Sequence, residues 1–172
     1  SCCRRQEGEA PQQGFEGIDH HLVLGVASTL GEQAILKFIG KVAEVKGEES
    51  KIEIKPEFCR GLFHLNQFSH LIVLYWLHLR DNENDRKTLR VIPMRHEGAP
   101  EMGVFGTRSP SRPNPIGLCV VELLKLEDCA FIVKGLDANA GSPILDIKPY
   151  IPRADSIPEA KAPEWTLKGP AT

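Results

Sequence analysis

Residues 69–79 read SHLIVLYWLHL, the longest apolar run in the chain. From Leu71 to Leu79 the run is nine residues and includes His78. A membrane helix needs roughly 18–20 apolar residues, so this stretch is too short to be one. Its β-branched and aromatic residues, Ile72, Val73, Tyr75 and Trp76, favour a strand. Because both alternating faces are apolar, the strand is expected to be covered twice, by a core on one side and by a partner on the other.

The neighbouring segments extend the β reading. Residues 50–55 (SKIEIK) alternate, which puts Ile52 and Ile54 on one face and Lys51, Glu53 and Lys55 in water. Residues 37–45 (KFIGKVAEV) are β-branched with one glycine, and Lys46-Gly47-Glu48-Glu49 reads as the hairpin loop between the two segments. Further strands are expected at 88–92, 117–126, 130–136 and 144–150, with Glu127-Asp128 joining the middle pair. The apolar residues of 117–126 would also suit a buried helix; Val120-Val121 and the upstream prolines favour a strand. The sum is a mainly β, antiparallel protein, and closing its sheet would remove exposed edges.

Residues 1–36 form an N-terminal extension without apolar periodicity as far as His21; 22–36 suit either a short helix or an extra strand. Residues 37–152 form the β-barrel domain. The tail, 153–172, follows Pro152 and carries Pro158, Pro163 and Pro170, so it is expected to lie extended on the surface.

Composition bounds the function. The 172 residues suffice for one core, and 41% apolar with 26% charged residues is ordinary for a globular protein. A net charge of -2 gives no overall basic excess, so any RNA contact must come from a local patch. Residues 22–30 faintly resemble an export signal, but Glu16 and Asp19 separate them from Arg4 and Arg5, the wrong flank. A soluble, cytoplasmic protein with no membrane segment is expected. The five cysteines are odd in number and contain no Cys-x-x-Cys pair, which predicts neither a disulfide framework nor a zinc site. Cys119 and Cys129 read as core fillers, and Cys2-Cys3 lie in the polar arm.

The stretch 103–117, GVFGTRSPSRPNPIG, carries three glycines and three prolines, so its backbone is heavily prescribed. Pro113 and Pro115 hold Arg112 and Asn114 extended. Arg108 and Arg112 project from a frame without acidic residues, which lowers the entropy cost of clamping an anionic or aromatic ligand. The plainer alternative is a structural loop whose arginines meet carboxylates or water. Arg86, Lys87, Arg90, Arg95 and His96 form a second basic group, offset by Glu97 and Glu101; it suits either a phosphate track or a solvated face. His70 and His78, eight apart, are expected on one face of a strand, as pocket or core histidines; no third ligand points to a metal. Asp137 ends a strand and suits ribose hydroxyls, whereas Asp146 and Lys148, two apart, suit a simple ion pair.

These residues together resemble the TrmO family of tRNA adenosine N6-methyltransferases, also called TsaA-like or YaeB-like. The matching text is Gly61-Leu62, Phe68-Ser69-His70-Leu71, Gly103-Val104-Phe105 through Gly117, Gly135-Leu136-Asp137, and Ile144 through Tyr150. It spans about Phe38 to Pro152, and the strings TRSPSRPNPIG and LDIKPYIP are highly specific. The resemblance implies a single-sheeted β-barrel that forms homodimers and binds S-adenosylmethionine near the subunit interface. The implied substrate is tRNA, at the threonylcarbamoyl-modified adenosine next to the anticodon. By motif position, His78, Leu79, Arg108, Leu118, Lys134, Gly135, Leu136 and Asp137 are the implied cofactor contacts. Arg112, Asn114, Arg90 and Arg95 are candidates for substrate or RNA.

The sequence departs from the family pattern in the first strand, where Gly40 leads to KVAEVKG in place of the usual Ser-Pro and Pro-Arg-Gln loop. Gly106 and Ser111 replace a frequent alanine and a bulky residue, and no counterpart of the C-terminal domain of longer members is expected. The sulfonium donor needs no metal, and none is expected. Asp137, His78 and Asp146 are candidate bases, with no ground in the sequence for choosing among them. Three other readings stay open: a non-catalytic sensor of S-adenosylmethionine, an RNA-binding barrel, and a methyltransferase for a small molecule.

Overall fold

The computed structural model describes residues 34–168. Expectations for Cys2-Cys3, His20-His21 and most of 22–36 fall outside the described residues.

The first hairpin pairs β1 (Gly40–Lys46) with β2 (Glu49–Ile54), from Gly40 opposite Ile54 to Lys46 opposite Glu49. Gly47 turns it with φ +59°, a conformation that disfavours a side chain. A run of 3-10 turns at Pro56–Leu62 and Leu65–Gln67 leads to β3 (His70–Trp76). A five-residue helix α1 (Glu83–Lys87) is capped by Asn82, whose side chain accepts the Asp85 amide. Two short strands follow, β4 (Arg90–Val91) and β5 (Met102–Gly103), paired only with each other. The remaining strands are β6 (Ile116–Leu126), β7 (Ala130–Lys134) and β8 (Pro143–Pro149).

Every pairing in the main sheet is antiparallel, and the pairings run in a ring: β1 with β2, β7, β6, β3, β8 and back to β1. Alternation decides what the ring encloses. Val42, Ile52, Ile54, Leu71, Val73, Tyr75, Cys119, Val121, Phe131, Val133 and Ile144 point inward and make one buried cluster, with Leu62 and Leu136 against it. The outward positions of β3 and β6 are also apolar: Ile72 lies opposite Val120 and Leu74 opposite Leu118, which is 47% exposed.

The β elements keep to the sequence pattern, with informative exceptions. Residues 116–126 form a strand throughout. The strand expected at 88–92 shrinks to Arg90–Val91, because Pro93 offers no amide to continue the ladder. β3 stops at Trp76 for the same reason. Its partner Ile116 follows Pro115, whose carbonyl accepts the Leu77 amide at 2.8 Å but which has no N–H to return. His78 therefore sits in a 3-10 turn (His78–Arg80) and does not share a strand face with the exposed His70. The tail is not wholly extended: Pro152 starts a short helix α2 (Pro152–Asp155), a position where its missing amide costs nothing, and a 3-10 turn follows at Glu164–Leu167. Cys129 is not a core filler but forms a disulfide with Cys59, the Cα atoms 5.1 Å apart across a sequence separation of 70. Cys119 remains a buried free thiol.

Among the described residues no helix is long and apolar enough to cross a membrane. Nor, among them, does any group of three or more His, Cys, Asp and Glu side chains stand placed to hold a metal ion.

Candidate functional site

The register brings the C-terminal ends of β3 and β7 and the N-terminal ends of β6 and β8 to one end of the ring. The β7–β8 loop, residues 135–142, crosses this end and is held from below at several points. Tyr75, 5% exposed, donates its phenol hydrogen bond to the Asp137 carbonyl. The Cys119 thiol lies 3.1 Å from the Gly135 carbonyl. Ser142 Oγ lies 3.3 Å from His78 Nδ1, while the Ser142 backbone bonds to Asn139 and Val42. Gly135 and Gly141 turn the loop, both with φ +86°.

Burial pushes the Tyr75 phenol up to about 12; the Asp137 carboxylate and the Cys119 thiol add to the shift, and the charges of Arg95 and Arg108 oppose it. Arg95 Nη1 stands 3.3 Å from Asp137 Oδ2. Arg108 is exposed and, among the described residues, has neither a hydrogen-bond nor an ion-pair partner.

The proline-rich loop owes its shape to side chains as well as to prolines. Arg112 is turned into it: its Nη2 donates to the carbonyls of Val104 and Thr107 at 2.5 and 2.7 Å, and its buried Nε has no partner. Helix α1 braces the loop from outside. Ser111 donates to the Asp85 carboxylate, and Arg86 Nη1 donates to the Pro113 carbonyl at 3.2 Å. Arg86 also bonds to Asp81 and lies over the Trp76 ring, 5.4 Å from its centroid. The Arg86 and Trp76 hydrogen bonds hold the Asp81 carboxyl below the usual range; Ser111 and Asn82 do the same for Asp85.

The other predicted residues are dispersed. Arg90 pairs with Glu101 at 3.5 Å, Lys134 with Glu48 at 3.2 Å, and Lys148 with Asp146 at 2.7 Å. Asn114 is exposed, and its carbonyl accepts the Ile116 amide. Leu79 is 66% exposed, Leu118 points out of the ring, and Leu136 is buried. None of Tyr75, Ser142, Cys119 and Gly117 was expected at the site from the sequence, where Cys119 read as a core filler and Gly117 as the end of the proline-rich stretch. Only Tyr75 left a trace there, as a hydroxyl-bearing residue at an inward position of the apolar strand. Two shallow depressions, one along residues 66–69 and 123–126 and one along Lys51, Pro56 and residues 127–130, contain none of these groups.

The donor set can be tested against a nucleoside-amino acid such as S-adenosylmethionine. An unpaired guanidinium at Arg108 suits a carboxylate. The exposed Asp137 carboxylate suits hydroxyl donors, and the exposed side chains of Leu79 and Leu118 offer apolar surface. The residues present fit such a group.

A closed ladder of antiparallel strands with its polar groups gathered at one end is a β domain of a kind unrelated to nucleotide-binding α/β sheets. Within that class the chain belongs to the tRNA-methyltransferase O N-terminal domain family, whose model matches residues 40–156. It is 51% identical over 112 residues to a probable S-adenosyl-L-methionine-binding protein of Methanothermobacter thermautotrophicus, covering 64% of this chain and 75% of that one. It is 45% identical over 102 residues to the tRNA (adenine(37)-N6)-methyltransferase of Escherichia coli, covering 57% of this chain and 43% of that enzyme. A crystal structure of TrmO superposes with a TM-score of 0.60 at 29% identity, covering 76% of this chain and 63% of that one. The chain thus spans most of the first relative but less than half of the E. coli enzyme.

Proposed function

We propose that the chain is an S-adenosylmethionine-dependent methyltransferase that acts on tRNA, at N6 of the threonylcarbamoyl-modified adenosine next to the anticodon. In this reading residues 37–152 form a single-sheeted β-barrel domain, 1–36 an N-terminal extension and 153–172 a surface tail, and the protein works in the cytoplasm. The observation that carries the reading is the Lys134–Asp137 segment clamped by Tyr75 and Cys119 at one end of the ring, with Arg108 exposed and without a partner among the described residues.

S-adenosylmethionine supplies an activated methyl group on its sulfonium. The chain's own task is to orient donor and acceptor and to keep water out, which can lower a barrier by up to about 7–11 kcal/mol in ideal cases. Arg108 binds the carboxylate of the cofactor or of the threonyl group, and Asp137 accepts from ribose hydroxyls. His78, Leu79, Leu118 and the residues from Lys134 to Leu136 complete the cofactor contacts. An adenine N6 is a weak nucleophile, and the carbamoyl group acidifies its remaining proton, so a proton acceptor is useful. Of the three candidates, Asp137 and Asp146 are tied to Arg95 and Lys148, and His78 carries no salt bridge, which favours His78. Arg112 shapes the loop from within; the exposed Asn114, and Arg90 and Arg95 by exchanging their carboxylate partners Glu101 and Asp137 for phosphates, are the groups that meet RNA.

The outward apolar positions Ile72, Leu74, Leu118 and Val120 support a homodimer, because a second copy would cover them and border the site at Leu118. Incubation with labelled S-adenosylmethionine and tRNA, with and without the threonylcarbamoyl group, tests the function. Label on the modified tRNA alone is expected. Binding without transfer would leave a sensor, and transfer only to a small acceptor would leave a different methyltransferase.

A further inference from the structure

We propose that Ser142 is a positioning residue for His78, an inference that rests on the proposed methyl transfer. Ser142, at the end of the β7–β8 loop, is 3% exposed; it and Ser50 are the two buried polar residues among those described. A buried hydroxyl without a partner is costly. The Ser50 hydroxyl has no partner, whereas that of Ser142 meets His78 Nδ1 at 3.3 Å.

The serine is itself immobile. Its amide donates to the Asn139 carbonyl at 3.0 Å, its carbonyl accepts the Val42 amide at 2.9 Å, and Gly141 beside it donates to the Val42 carbonyl at 2.7 Å. His78 has no such support from a ladder, because β3 has ended and the residue opens a short 3-10 turn. The side-chain bond therefore fixes a ring that its own backbone element leaves loosely determined. With Nδ1 engaged, Nε2 is the nitrogen left to meet a ligand; because a hydroxyl both donates and accepts, the bond fixes the ring's orientation and not its tautomer. The same bond ties the far end of the loop to the turn after β3, sixty-four residues away in sequence, while Tyr75 ties the near end at Asp137.

The test compares Ser142→Ala and Ser142→Thr, alone and combined with His78→Ala. Ser142→Ala is expected to lower kcat/KM for methyl transfer about fivefold, the worth of one neutral hydrogen bond, and Ser142→Thr to retain the wild-type value. In the His78→Ala background, Ser142→Ala is expected to cause no further loss, since both changes remove the same interaction. NMR relaxation of the His78 ring in the full chain is expected to show one rigid ring orientation in the wild type and faster ring motion in Ser142→Ala. Equal losses from Ser142→Ala in both backgrounds, or unchanged His78 ring motion, would overturn the proposal and mark the serine as merely structural. Failure of the wild type to transfer methyl groups would instead sink the proposed function, and the ring-motion comparison would still decide on the clamp.

Discussion

Gly117 lies directly across from Tyr75 in the β3–β6 ladder, and the phenol ring crosses it so closely that a methyl group there would sit 2.4 Å from the ring. The glycine's role is steric and not conformational: its missing side chain is the space through which Tyr75 reaches Asp137. Gly117→Ala is expected to destabilise the protein by about 1–3 kcal/mol, as overpacking of a filled core does. A urea midpoint equal to that of the wild type would count against this packing.

Removing only the hydroxyl separates the ring from its hydrogen bond. Tyr75→Phe is expected to cost about 1 kcal/mol and to speed amide hydrogen exchange in residues 135–138 without altering β3. Exchange rates unchanged in that loop would show that the phenol does not hold it.

The two arginines of the proline-rich loop should fail in different ways. Arg108→Ala removes an exposed guanidinium that has no partner among the described residues and is expected to leave the unfolding midpoint within experimental error. It should weaken S-adenosylmethionine binding at least tenfold, in line with roughly 1.5–3 kcal/mol for a charge-assisted contact. Arg112→Ala leaves the Val104 and Thr107 carbonyls without their donor and is expected to lower stability by a similar ~1.5–3 kcal/mol. Calorimetric titration of both variants, with thermal melts alongside, checks the division.

Acid should loosen the brace around the loop before it opens the ring. Asp81 and Asp85 have folded pKa values below the ordinary carboxylate value, so their bonds to Arg86, Trp76, Ser111 and Asn82 contribute stability above the unfolded pKa near 4. That contribution is lost as pH falls through the lower, folded pKa. Trp76, which donates to Asp81 at 2.9 Å, is expected to change its fluorescence below about pH 4 in a Trp165→Phe background, at a higher pH than the far-ultraviolet β signal. Coincident transitions would refute the local opening.

The Cys59–Cys129 bond encloses β3, the proline-rich loop and β6 in one covalent loop. Reduction, or Cys59→Ser, is expected to lower stability by about 2–4 kcal/mol. Non-reducing peptide mapping should recover the two cysteines in one linked fragment; finding them as free thiols would remove the bond.

The ring was legible because its evidence is periodic: SKIEIK and SHLIVLYWLHL state which side chains go inward, and proline marks where ladders stop. The specific strings around Arg108 and Asp146 likewise pointed to the family, whose model matches residues 40–156. The supports were not legible. Tyr75 and Cys119 meet the loop from 62 and 16 residues away, its Ser142 meets His78 across 64, and the Cys59–Cys129 pairing spans 70; spacing carries no trace of such meetings. Composition also could not say which basic residues are neutralised. Arg86 and Arg90 bind carboxylates, Arg112 binds carbonyls, and only the folded neighbourhood sets Arg108 apart.

The clamp on the β7–β8 loop also fixes when in synthesis the site is assembled. Its two anchors, Tyr75 on β3 and His78 in the turn that follows, are made first, and their partners Asp137 and Ser142 emerge from the ribosome only some sixty residues later. Closing such distant contacts carries a chain-entropy penalty that local turns do not. A nascent chain can therefore form its first hairpin early, yet this end of its ring stays unassembled until almost the last strand has left the exit tunnel.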